Sequence, residues 1–184
     1  MTDQGDRTEV YAWAGPPRIS VSTQSVEHQG RRWVQHRVDA DEGGIGVVVV
    51  ATFAGKHLIV EHFRPVTGST LTEFPRGFGT QPPEGRTPQQ HACNDGIREL
   101  LEETGLQAET AEFLGYVWPD SGILGSKVAV VAIAAQSQEP VQSNDGEIDR
   151  FRWATKEELA RAIVTGEIAD GITLAAYALW CAAK

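Results

Sequence analysis

The residue pattern by itself predicts one domain of the α+β kind, mixing strands and helices, and three observations carry that prediction. Short runs of β-branched residues recur through the first two thirds of the chain, as buried or half-buried strands require. Two later segments open with helix-capping signals and end at glycine. The 184 residues are 41% hydrophobic, with five Trp, six Phe and three Tyr, enough apolar material for one core in a chain of ordinary single-domain length.

In chain order, the first 17 residues are polar and end in Gly15-Pro16-Pro17, which predicts a flexible arm ahead of a folded domain over residues 18–184. RISVSTQSVE and RRWVQHRVDA flank His28-Gln29-Gly30 and read as an N-terminal β-hairpin. After the Gly43-Gly44 break, IGVVVVATF and HLIVEHF meet at the Ala54-Gly55 turn and form a second strand pair. The Gly- and Pro-rich stretch from Arg64 to Pro88 predicts loop, with a short strand near Leu71–Phe74. Thr87 and Gln90 then make a capping box, Pro88 suits the first helical position and Gly105 supplies a stop. AEFLGYVW, KVAVVAIAA and IDRFRWA are strand-like. Thr155 and Glu158 cap a second helix, KEELARAIV, and ITLAAYALWCAA closes the chain as a largely apolar helix.

Charge narrows the partners. Sixteen Lys and Arg against 25 Asp and Glu leave −9, which repels phosphate backbones and anionic lipid, so neither nucleic acid nor membrane is expected as a partner. A phosphate-bearing substrate would need help from a cation. Cys93 and Cys181 lie outside any CxxC or Cys/His cluster and read as reduced, packed thiols, and no signal-like or membrane-length apolar run is present, so a cytoplasmic location is expected.

The chemistry concentrates in Arg98-Glu99-Leu100-Leu101-Glu102-Glu103-Thr104-Gly105-Leu106. On a helix, Glu99, Glu102 and Glu103 share an arc of about 100°, while Ile97, Leu100, Leu101 and Thr104 occupy the other side. Clustered carboxylates repel unless neutralised, and hard oxygen ligands suit Mg²⁺ or Mn²⁺. A solvated face with an Arg98–Glu102 pair is the plain alternative.

The nine-residue string matches R-E-U-x-E-E-x-G-U (U apolar), the second half of the Nudix box, at every specified position, and the chain resembles the Nudix hydrolases. HLIVEHFRP followed by LTEFPRG, the WPDSG turn, and the closing GEID and GEIADGITLAAYALW resemble the ADP-ribose pyrophosphatase-like branch, so the likeness covers nearly everything after about residue 18. The family box begins G-x5-E-x7-R, and here the first half departs: eight residues before Arg98 stands Gln90, and if Gly85-Arg86 replaces Gly-Glu, eleven residues instead of seven precede Arg98. Adjacent Glu84 is a candidate substitute. The glutamate many relatives carry after the "spG" turn is also absent, since that loop reads Ile123-Leu124-Gly125-Ser126.

The resemblance implies a Nudix-type α/β/α sandwich with a mixed sheet, and a homodimer that uses N-terminal strands 18–40. It implies Mg²⁺-dependent (or Mn²⁺-dependent) hydrolysis of a small nucleoside diphosphate derivative, ADP-ribose or a nucleotide sugar. Glu99, Glu102 and Glu103, with the Arg76 carbonyl, would hold the ions; Arg98 would brace them; Arg64 would bind phosphate and Glu73 would organise its loop; Glu147 or Asp145 would be the base. A weakened domain that binds nucleotide as a sensor, and an interaction module with a merely solvated acidic face, remain rival readings. Asp95 reads either as a fourth carboxylate of the cluster or as a cap of a helix starting at Gly96 or Ile97. The five histidines read as half-exposed, and Trp118, Trp153 and Trp180 as core, with Trp33 or Trp118 an alternative clamp for a base.

Overall fold

A computed structural model describes residues 2–41, 43–140 and 150–183. Strands β1 (Thr2–Trp13), β2 (Arg18–His28) and β3 (Arg31–Asp41) form a three-stranded antiparallel sheet. The expected hairpin is β2–β3, running from Arg18 opposite Asp41 to His28 opposite Arg31. The expected flexible arm is instead a strand. It pairs with β2 from Thr2 opposite His28 to Trp13 opposite Ile19. Backbone hydrogen bonds hold a strand that buries neither face, so its sequence needs no apolar alternation to betray it.

The larger sheet has seven strands. Its path is β10 (Arg150–Ala154), β5 (Lys56–Arg64), β4 (Gly46–Phe53), β9 (Val128–Ala135) and β8 (Ala108–Val117), with β6 (Ser69–Glu73) on β5 and β7 (Arg76–Gly77) on β4. β4 and β9 run parallel and the other pairs antiparallel, so the sheet is mixed. Successive side chains of a strand point to opposite faces, and β4 serves both layers. Val47, Val49 and Ala51 pack with Ala92 and Leu100 of α1 (Pro88–Thr104). Val48 and Val50 pack with Leu159 and Ala162 of α2 (Lys156–Val164) and Ala176 of α3 (Gly171–Ala183). The result is an α/β/α sandwich.

α1 carries the signals read from sequence. Thr87 accepts from the Gln90 backbone while the Gln90 side chain returns to the cap, Pro88 opens the first turn, and Gly105 ends it with φ of 70°. The Asn94-Asp95-Gly96 tripeptide, poor helix material, lies inside one unbroken helix. Gly96 is explained by approach: a Cβ there would sit 3.3 Å from Val131 Cβ and 3.5 Å from Val47 Cγ2, so a side chain would require helix or sheet to give by a few tenths of an ångström.

Several burial expectations are corrected. Trp118 is 56% exposed and Cys181 is exposed, whereas His57 is 2% exposed, its ring edge-on to Trp180 at 4.4 Å and to Tyr177 at 5.8 Å between centroids. Trp153 and Trp180 are partly buried and do pack on the core. Among the described residues, no helix is long and apolar enough to cross a membrane.

Candidate active site

A cavity of about 740 Å³ opens where several parts of the chain converge. Glu99, Glu102 and Glu103 of α1 form one wall. Arg76, Gly77 and Phe78 enter from β7 and the turn after it, and His62 and Arg64 from the end of β5. The opposite side comes from Leu124, Ser126 and Lys127, with Ile172 of α3.

The helical arc read from sequence does turn the three carboxylates to this one space, with Glu99 and Glu103 buried and Glu102 half exposed. Arg98 lies between two of them: Nη2 donates to Glu99 Oε1 at 2.7 Å and Nη1 to Glu102 Oε2 at 2.7 Å. Its Nη2 also donates to the Phe78 carbonyl at 2.9 Å, fastening the loop after β7 to the helix. Burial pushes the Glu99 carboxyl up to about 7; Arg98 offsets part of this, and the charges of Glu102 and Asp95 add to it. Gly77 makes the close approach possible, because a Cβ there would fall on the Glu99 carboxylate.

Among the described residues, no three His, Cys, Asp or Glu side chains converge to enclose an ion, and Arg98 takes one oxygen each of Glu99 and Glu102. The donor set nonetheless suits a hard divalent cation. A carboxyl held back from ionising by burial and by like-charged neighbours is what such a cation relieves.

A second cluster lies beside the first. Fully buried Glu73 pairs with Arg64 and, at 3.2 Å, with Arg76, whose Nη2 also reaches Asp170 at 3.4 Å. Asp170 accepts from the Thr173 backbone and hydroxyl, both at 2.8 Å, and Thr173 Oγ1 in turn accepts from Phe74 N at 3.0 Å. Both arginines are thus held at the cavity edge by Glu73, and Arg76 also by Asp170 at the start of α3.

The expectations for Asp95 and for the first half of the box are corrected. Asp95 is neither a cap nor part of the cavity lining. Buried in mid-helix, it accepts from Thr80 N at 3.2 Å and Thr80 Oγ1 at 2.9 Å, with His91 at 3.3 Å. It therefore tethers the loop after β7. Glu84, Arg86 and Gln90 line a separate surface hollow with Asn94, so Glu84 does not stand in for the lost box glutamate. Glu147 and Asp145 lie outside the described residues. Sequence reasoning did not place Lys127, Ser126, Phe78 and His62 at this cavity, because no local spacing rule links these strands and loops to a helix distant in sequence.

A mixed sheet lies between helical layers, an α/β/α sandwich in which a carboxylate-bearing helix faces the cavity. Residues 42–174 match the family model for the NUDIX domain, and the chain belongs to that family. Mouse ADP-sugar pyrophosphatase is 35% identical over 82 residues, 45% of this chain and 34% of the mouse protein, so the match spans about a third of that relative. Phosphatase NudJ of Shigella boydii serotype 4 (strain Sb227) is 28% identical over 119 residues, 64% of this chain and 72% of its own. A crystal structure of an ADP compounds hydrolase superposes with a TM-score of 0.76 at 17% identity, covering 97% of this chain and 91% of that one, a likeness of fold.

Proposed function

We propose that the protein hydrolyses the diphosphate of a nucleoside diphosphate linked to a second moiety, ADP-ribose or a nucleotide sugar, with Mg²⁺ or Mn²⁺. The observation that carries this reading is the convergence of Glu99, Glu102 and Glu103 on a cavity of about 740 Å³ whose other sides present Arg64, Arg76 and Lys127. Carboxylates and fixed cations facing across one space suit a metal-bound diphosphate. The name of the mouse relative, an ADP-sugar pyrophosphatase, supports the substrate class.

Glu99, Glu102 and Glu103, with the Arg76 carbonyl, would hold the ions. A bound divalent cation acidifies water and neutralises charge on phosphoryl oxygens. Arg98 orients Glu99 and Glu102 through its two short contacts. Glu73, paired with Arg64 and Arg76, would present both to the substrate. Glu147 or Asp145 is the candidate base. A second copy of the chain would cover Val10, Tyr11, Trp13, Trp33 and Val34, which are exposed on the N-terminal sheet. Reduced Cys93 and Cys181 accord with the cytoplasm.

The displaced Glu84 and Arg86 favour a second reading, a domain that binds nucleotide without cleaving it. A screen of ADP-ribose and ADP- and GDP-sugars with Mg²⁺ or Mn²⁺, with a coupled phosphatase, separates the two. Phosphate release that needs both substrate and metal is the expected result. Saturable binding without release supports the sensor, and neither binding nor release overturns both.

A further inference from the structure

We propose that Lys127 is a substrate-binding residue that supplies the uncompensated positive charge for the diphosphate, a role that rests on the reading above. Four charged groups on the basic side of the site cancel: Arg64 and Arg76 carry two positive charges, and Glu73 and Asp170, in contact with them, carry two negative ones. Arg98 is likewise engaged by Glu99 and Glu102. Lys127 lines the same cavity, and among the described residues it has no carboxylate in ion-pair range. In a chain of net charge −9, an anion entering this cavity meets its available positive charge there.

The side chain is placed without being neutralised. Its ammonium stands 3.6 Å from the Tyr116 ring centroid, where the ring's negative face attracts the cation and leaves its charge unspent. Tyr116 is itself fixed by an edge contact with Phe113, 4.9 Å between centroids. The backbone is clamped on both sides. Ser126 Oγ donates to the Ala40 carbonyl at 3.2 Å and accepts from Ala40 N at 3.4 Å, and Val128 lies in register with Gly46 and Val117. A half-buried, preorganised ammonium is suited to diphosphate oxygens, which its three donors can meet from several directions.

The test uses K127M and K127R of the full chain, with ADP-ribose and Mg²⁺ for kinetics and ADP for calorimetry. Because Lys127 contacts substrate in ground and transition states alike, K127M should raise KM about tenfold and leave kcat within about threefold. K127R, which keeps charge and ring contact, should return KM to within about threefold of the parent. A KM for K127M within twofold of the parent, or a loss confined to kcat, overturns the proposal. If the parent hydrolyses none of the diphosphates, the functional reading falls on its own, and calorimetry decides Lys127: about tenfold weaker ADP binding by K127M supports the role, and unchanged affinity removes it. Should K127M lack the parent's melting transition, K127Q carries the same comparison.

Discussion

Replacing Glu99 by Gln should stabilise the metal-free protein at alkaline pH. The unfolded chain releases the Glu99 proton near 4.5, and the native site holds it to about 7. Between those values the native state binds more protons, so stability falls as pH rises from about 4.5 to about 7, and the loss is complete above that. At about 1.4 kcal/mol per tenfold change in proton affinity, the ionised carboxylate costs roughly 3–4 kcal/mol at pH 8. The side chain is only 10% exposed, so solvent screens little of this. Gln has the same shape, keeps an acceptor for Arg98 and never ionises. For a chain of this size E99Q should melt about 5–10 °C above the parent at pH 8 in EDTA and within about 2 °C of it at pH 5. Adding Mg²⁺ should raise the parent's melting temperature more than that of E99Q. Equal or lower melting of E99Q at pH 8 in EDTA would refute the argument that burial holds this carboxyl back.

Three further outcomes are expected. Glu102→Gln and Glu103→Gln should each lower turnover at least about a hundredfold while melting near the parent, checked by the coupled phosphate assay and calorimetry; retained activity in both would remove the metal assignment. Asp95→Ala leaves Thr80 without its buried acceptor and should cost roughly 1–3 kcal/mol in urea unfolding, whereas Asp95→Asn should leave the Mg²⁺ concentration for half-maximal activity unmoved. His57 is kept neutral by burial, with Lys156 adding to the effect, so the unfolded state takes the proton first and stability is lost as pH falls below about 6.5. His57→Phe should flatten the fall in melting temperature between pH 7.5 and pH 5; an identical fall in both proteins would count against the buried ring as its source.

What was legible in the sequence is what local chemistry fixes. Thr87, Pro88, Gln90 and Gly105 bound α1 because caps act within a few residues, and the arc of Glu99, Glu102 and Glu103 follows from helical period alone. β1 escaped notice because its pairing with β2 is a backbone matter, and residues such as Arg7, Thr8 and Glu9 bury nothing that would leave a pattern. Asp95 misled because Asn-Asp-Gly is turn chemistry in isolation, while in the fold the helix runs on and the carboxylate spans to Thr80. Trp118 and Cys181 misled for a related reason: apolar character predicts average burial, and the place of a residue at a sheet edge or helix end decides the particular case.

The two sides of the cavity are suspended from different parts of the protein. Asp95 and Arg98 pin the segment 78–80 onto α1, and Gly96 seats α1 flush on the sheet, so that side behaves as one solid jaw. The facing side hangs from β3, through Val38 N to the Ile123 carbonyl, Gly125 N to the Val38 carbonyl, and Ser126 to Ala40. The outer three-stranded sheet is therefore bonded directly to the mouth of the cavity through residues 123–126, while the acidic side is fastened to the central sheet through α1.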